Sequence, residues 1–204
     1  MKYVKEYVES KIEIKRSEFI GILVPITNDD DITNAINDAK KKYPKATHYV
    51  TAWVRGENGQ YASSNDDGEP NRTAGYPALE VLMKNELTDV LVIIIRYFGG
   101  IKLGAGGLIR AYSSSAAETV KNATLYEKKM AHKYKLTFDY SLIDKLEHDL
   151  SNSVTYLNKE YTDKVTYEIV FHKDDLSLIK EYKHLLEIEE LEKEELHIEV
   201  KNTN

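Results

Sequence analysis

The sequence predicts an α+β protein in two units, and three observations carry that prediction. Residues 89–98, "DVLVIIIRYF", form a continuous β-branched run of the kind that fills a central strand buried on both faces. Stretches with helical spacing of apolar residues alternate with short β-rich stretches along the chain. From Ala131 onward the pattern reads β-α-β-β-α-β without a gap. At 204 residues and 42% hydrophobic, the chain can bury one sizeable core or two small ones.

In the first unit, "KIEIKRSEFIGILVPI" alternates and then turns apolar, which predicts a hairpin of two strands. "DDDITNAINDAKKKYP" spaces Ile32, Ile36 and Ala39 helically behind an acidic first turn. "ATHYVTAWV" is a strand by its β-branched and aromatic content, and a polar loop is expected from Arg55 to about Gly75. Pro77 suits the first turn of a helix, "PALEVLMKNEL", which leads into the central strand. A glycine-rich loop follows, then a helix to about Asn122 with Leu108, Tyr112, Ala116, Thr119 and Val120 on one face. The unit is therefore β-β-α-β-α-β-α.

The link "YEKKM", Tyr126–Met130, has no Gly or Pro and predicts a short connection, with domains at 1–128 and 129–204. Beyond it come strand "HKYKLTFDY", helix "SLIDKLEHDLSNS", two strands in "TYLNKEYTDKVTYEIVFH", helix "DLSLIKEYKHLLE" and strand "EELHIEV". That order is the split βαβ of ferredoxin-like domains.

Composition removes whole classes of function. There is no unbroken apolar run near 18 residues and no apolar signal core in the charged N-terminus, so a soluble cytoplasmic protein without a membrane role is expected. The absence of cysteine excludes a disulfide framework, a thiolate zinc site and cysteine catalysis. Residues 1–128 hold 17 Lys+Arg and 17 Asp+Glu, and residues 129–204 hold 11 and 17, so the whole excess of six negative charges lies in the last third. Bulk basic charge does not grip phosphates here, and any nucleic-acid contact needs a local patch in the first unit.

That patch is sought in "RYFGGIKLGAGGLIRAYS", Arg96–Ser113. It is neither a Walker loop, because no glycine precedes a Lys-Ser or Lys-Thr pair, nor a dinucleotide fingerprint, because Ile109 stands at the third glycine position after Gly104 and Gly106. What remains is general physics. Gly99, Gly100, Gly104, Gly106 and Gly107 either let backbone amides approach an anion at the start of a helix, with Lys102 reaching in, or serve as a tight corner. Arg110 falls in the first turns of that helix, where the macrodipole disfavours a cation, and so calls for an anion. Its two candidate partners are an outside phosphate and the chain's own acidic loop, "SSNDDGEPNRTAGYP", with Asp66, Asp67 and Glu69. That loop fails as an EF-hand, since with Gly68 at the sixth position the twelfth is Ala74. It is a structural turn, a partner-contact loop, or a carboxylate cluster for Mg²⁺-assisted phosphoester hydrolysis. No H-E-x-x-H and no G-x-S-x-G is present, and His48, alone in the first unit, reads as a structural residue. Tyr97 is the tyrosine best placed to stack a base.

"SNDDGEPNRTAGYP" followed by "IIIRYFGGIKLGAGGLIRAYS" resembles the signature of the YigZ/IMPACT family, and the second unit points to its bacterial YigZ branch. The usual first block reads S-D-D-G-E-P-x-G-T-A-G, so Asn65 stands for Ser and Arg72 for Gly; Val50 also stands where Cys is frequent. The resemblance implies a first domain like the second domain of a small-subunit ribosomal protein and a second like the fifth domain of elongation factor G. It also implies translation regulation, which in the eukaryotic relatives runs through protein partners of a stress kinase. No catalytic residue and no cofactor carries over. The main expectation is a non-enzymatic, translation-linked protein that binds RNA, the ribosome or a translation-associated protein through Arg96, Tyr97, Lys102, Arg110 and the glycines. A metal-assisted hydrolase using Asp66, Asp67 and Glu69 and a protein–protein adaptor are the alternatives.

Overall fold

The structure is a computed structural model, and it describes residues 1–172, 177–180 and 182–200. It is a mixed α/β chain with the element order β1 (Lys2–Tyr3), β2 (Val8–Ile14), β3 (Ser17–Pro25), α1 (Asp29–Lys42), β4 (His48–Arg55), β5 (Tyr61–Asn65), α2 (Gly75–Lys84), β6 (Val90–Tyr97) and α3 (Ala105–Lys121). There follow β7 (Leu125–Ala131), β8 (Lys133–Phe138), α4 (Ile143–Leu150), β9 (Val154–Tyr161), β10 (Val165–Phe171), α5 (Ser177–Lys180), β11 (Glu187–Glu190) and β12 (Glu194–Val200). The chain divides into two compact units, 1–127 with 198–204 and 128–197. Among the described residues no helix is long and apolar enough to cross a membrane.

The first unit is built on a five-stranded sheet of order β2-β3-β6-β4-β5, every pair antiparallel. The β2–β3 hairpin turns on Lys15 and Arg16, both at positive φ, as a two-residue turn between right-twisted strands requires. Strand β6 lies at the centre and sends side chains alternately to two cores. Val90, Val92 and Ile94 meet Ala78 and Leu82 of α2 and Ala111, Tyr112 and Ala116 of α3. Leu91, Ile93 and Ile95 meet Ile32, Ile36 and Ala39 of α1 on the other face. Helix α1 begins with a capping box, in which Asn28 accepts from the Asp31 amide and the Asp31 carboxylate accepts from the Asn28 amide.

In the second unit an antiparallel sheet of order β11-β8-β10-β9 packs Leu136, Phe138, Val165, Tyr167 and Ile169 against Leu146 and Leu150 of α4 and Ile179 of α5. A separate three-stranded sheet has the order β1-β7-β12.

Four elements differ from the sequence reading. Tyr61–Asn65, inside the expected polar loop, is the edge strand β5: "YASSN" has no apolar alternation, but its backbone is held in register by β4. The expected link at Tyr126–Met130 is extended and belongs to β7, which pairs with β1. Of the helix expected over Asp175–Glu187, only Ser177–Lys180 is α-helical among the described residues, and Asp175, Leu176 and Glu181 lie outside them. The strand that completes the four-stranded sheet is Glu187–Glu190, whereas Glu194–Val200 joins β7 instead.

Candidate functional site

Strand β6 delivers Arg96 and Tyr97 to the edge of the first unit, and period-two alternation separates them. Arg96 follows Val92 and Ile94 to the α2/α3 face and is only 5% exposed. Tyr97 goes to the α1 face, where its hydroxyl donates to the Pro44 carbonyl at 3.1 Å. These two residues therefore do not form one surface, and Arg96 is not presented to solvent.

A buried guanidinium needs a partner, and the acidic loop supplies it. Arg96 Nη1 donates to Glu69 Oε1 at 2.5 Å, and Nη2 lies 3.4 Å from Ser17 Oγ. The guanidinium carbon sits 5.4 Å from the ring centroids of both Phe19 and Phe98. The Tyr112 hydroxyl of α3 also donates to Glu69 Oε1, at 2.8 Å. Burial first, and then the Glu69 charge, push the Tyr112 phenol far above its ordinary value, which keeps it a donor. His48 Nδ1 lies 2.7 Å from the Asp67 carbonyl, an acceptor to which it donates, and its Nε2 lies 3.8 Å from Glu69 Oε1.

The other two carboxylates hold the loop's own backbone. Asp66 Oδ1 accepts from the amides of Ala74 (3.1 Å) and Gly75 (2.8 Å), and Oδ2 from Arg72 (2.8 Å). Since Ala74 cannot cap α2 with its side chain, Asp66 does so from eight residues upstream. Asp67 Oδ2 accepts from the Tyr49 amide at 2.6 Å. Of the two residues of this loop that depart from the family pattern, Asn65 accepts the Asp67 amide through its side chain at 2.8 Å. Arg72 keeps the left-handed backbone of the usual glycine, φ 61°, and its guanidinium lies 4.0 Å from the Tyr76 ring. Val50 is fully buried in the α2/α3 core.

The glycine loop crosses above this network. A Cβ at Gly99 would fall 2.0 Å from the Arg16 carbonyl oxygen, so only glycine lets the loop pack on the β2–β3 turn. Gly104 starts α3 at φ 70°, with no side-chain cap, and Ala105, Gly106 and Gly107 form the first turn. Lys102 and Arg110 are both exposed and, among the described residues, neither has an ion pair. Arg110 Nη1 folds back over that turn, 3.8 Å from where a Gly106 Cβ would be. The alternative in which Arg110 pairs with Asp66, Asp67 or Glu69 is thereby corrected: the acidic loop's cation is Arg96, because Arg96 points inward and Arg110 outward.

Between the two loops lies a cavity of about 460 Å³. Its floor is Glu69, Arg96 and His48; Phe98, Leu103 and Leu108 form apolar walls, with Lys102 and the α3 start at the mouth. Phe98 is 46% exposed, and Ile101 and Ile109 are exposed beside it. Sequence reasoning passed over His48, Phe98 and Tyr112 as site members. The parity of β6, which puts Arg96 on the face of Ile94, is the signal that could have shown Arg96 to be buried.

Known proteins similar to this chain bear on this site. The family description "Impact N-terminal domain" matches residues 15–120, which include both loops. The chain is 40% identical over 181 residues to the IMPACT family member YvyE of Bacillus subtilis, covering 88% of this chain and 83% of that protein. It is 33% identical over 137 residues to the IMPACT family member YigZ of Escherichia coli, covering 66% and 67%. A crystal structure of a hypothetical protein is similar with a TM-score of 0.60 at 26% identity, covering 92% of this chain and 95% of that one.

Proposed function

Because this chain belongs to the YigZ/IMPACT family, we propose that it is a non-enzymatic, translation-linked binding protein of the cytoplasm, working through its first domain, residues 1–128. Its partner is an RNA backbone or a ribosomal surface. The observation that carries this reading is the pair of exposed cations, Lys102 and Arg110, beside an uncapped helix start while the acids nearby are engaged elsewhere. An exposed cation near the positive end of a helix is unfavourable, and an anion from outside relieves it. The translation link rests on the family, whose eukaryotic members the resemblance identifies as translation regulators.

The finer fold assignments are part of the same proposal. The first domain is classed with the second domain of a small-subunit ribosomal protein. The second, 129–204, is classed with ferredoxin-like domains such as the fifth of elongation factor G, and the order β11-β8-β10-β9 supports this.

The adaptor reading is favoured by one specific observation, the exposed Phe98, Ile101 and Ile109 around the cations. The hydrolase reading has the donor set against it. Both Asp66 oxygens and one of Asp67 take backbone amides, and Glu69 takes Arg96 and Tyr112. Sedimentation with ribosomes tests the proposal. The protein is expected in the ribosomal pellet at low salt and in the supernatant at high salt. Absence from the low-salt pellet, with recovery of a ribonuclease-insensitive protein partner, favours the adaptor.

A further inference from the structure

We propose that three loops at one end of the first unit form a binding surface for single-stranded RNA, with Phe98 as the ring on which a base stacks and Lys15, Arg16, Lys45, Lys102 and Arg110 as the cations that hold the backbone. The inference rests on the reading above that Lys102 and Arg110 meet an outside anion, and it adds three cations, a stacking ring and the strandedness of the partner.

Hydrogen bonds bring the three loops together. The β2–β3 turn meets the glycine loop at Gly99, whose amide donates to Ser17 Oγ at 3.2 Å and where a Cβ would strike the Arg16 carbonyl. The loop between α1 and β4, residues 43–47, meets the same stretch twice: the Phe98 amide donates to Thr47 Oγ1 at 3.0 Å, and the Tyr97 hydroxyl to the Pro44 carbonyl. The turn contributes Lys15 and Arg16, the second loop Lys45 and the glycine loop Lys102, and none of the three contains an acid. Arg110 follows in the second turn of α3, with Nη1 folded back toward Gly106. All five cations are exposed, and among the described residues none has an ion pair. The acids around them do not cancel this charge. Arg72 and Arg96 offset two of Asp66, Asp67 and Glu69, Lys11 holds Glu18 at 2.6 Å, and Glu13 takes one more, so three positive charges remain in excess on a chain whose net charge is −6.

Phe98 lies in the glycine loop between these cations, and its position is fixed from within. Its amide is bound by Thr47 and the Arg96 guanidinium carbon lies 5.4 Å from its ring centroid, yet the residue is 46% exposed. Ile101, also exposed, extends the apolar strip along the same loop. An aromatic ring bordered by unpaired cations suits a single strand, whose unpaired bases stack while its phosphates take the charges. A duplex keeps its bases paired and stacked inside, so it meets the cations but gains nothing from the ring. Because every base has a face to stack, little base preference is expected.

Fluorescence anisotropy of the full chain with a labelled single-stranded RNA dodecamer of mixed sequence tests the surface. Saturable binding at low salt is expected, at least about tenfold tighter than to the matching duplex, with a logarithmic salt slope of about −3.5, or about 0.7 for each of five phosphates. Lys15→Gln/Arg16→Gln should flatten that slope by about 1.4 with an unchanged melting temperature. Phe98→Ala should weaken binding about tenfold and leave the slope as it is, and Phe98→Trp should bind as the parent does. The proposal is overturned by duplex bound as tightly as the single strand, by a slope that the Lys15/Arg16 variant leaves unchanged, or by a Phe98→Ala variant that binds like the parent. Tighter binding of a polyglutamate dodecamer than of the RNA also overturns it, and assigns the surface to an acidic protein segment. Ribosome sedimentation is read separately. Ribosome binding without dodecamer binding sinks this surface and leaves the reading above in place, while dodecamer binding without ribosome binding removes the ribosome from that reading and leaves the surface.

Discussion

The floor and the rim of the cavity handle charge in opposite ways. On the floor, Glu69, with a side chain 4% exposed, is matched by Arg96 and Tyr112. At the rim Lys102, and farther along α3 Arg110, stand in solvent with no ion pair among the described residues. Two sets of charges in neighbouring loops thus have different jobs. The buried set ties the acidic loop to the central strand and to α3, and the exposed set is left for a partner. Their responses to substitution should differ in kind as well as in size.

The largest effect is expected on the floor. Glu69→Ala leaves the Arg96 guanidinium buried without its counter-ion and should cost about 3–5 kcal/mol, read as a fall in the denaturant midpoint. Arg96→Met, which removes both the charge and its need for a partner, should cost less when combined with Glu69→Leu than either single change does. If Glu69→Ala melts like the parent, the floor is not structural and the contrast with the rim collapses.

Next in size is the cap. Asp66→Ala strips three amides of their acceptor and should cost about 1–2 kcal/mol, with α2 the first element to lose amide protection in hydrogen exchange. Uniform loss of protection across the sheet would show that Asp66 acts through something other than the cap.

Smaller still is Arg72, at left-handed φ. Arg72→Gly should be more stable than Arg72→Ala by about 1 kcal/mol, because alanine keeps the backbone strain and loses the Tyr76 contact. The reverse order would mean that the turn relaxes out of the left-handed region when the stack is lost.

Legibility in the sequence followed the strength of local signals. Strand β6 was readable because an unbroken β-branched run has few other fates, and α1 because its acidic first turn and spaced apolar residues agree. Strands β5 and β11 were not, since "YASSN" and "EIEE" are exposed edges that neighbouring strands hold in place. The two loops of the site were legible by composition, but their pairing was not. Glu69 looks like any solvated acid in a charged loop, and only the inward parity of Arg96, 27 residues on, shows where it must go. The same parity rule removes Tyr97 from the site.

The central claim, that the rim binds while the floor supports, is tested most directly by the double variant Lys102→Ala/Arg110→Ala in a salt-titrated ribosome sedimentation, with a thermal melt of the same sample. The account predicts a stability within about 0.5 kcal/mol of the parent, as for other exposed substitutions, together with loss of the low-salt pellet fraction and a flatter salt dependence. A variant that melts early yet sediments with ribosomes as the parent does would contradict it.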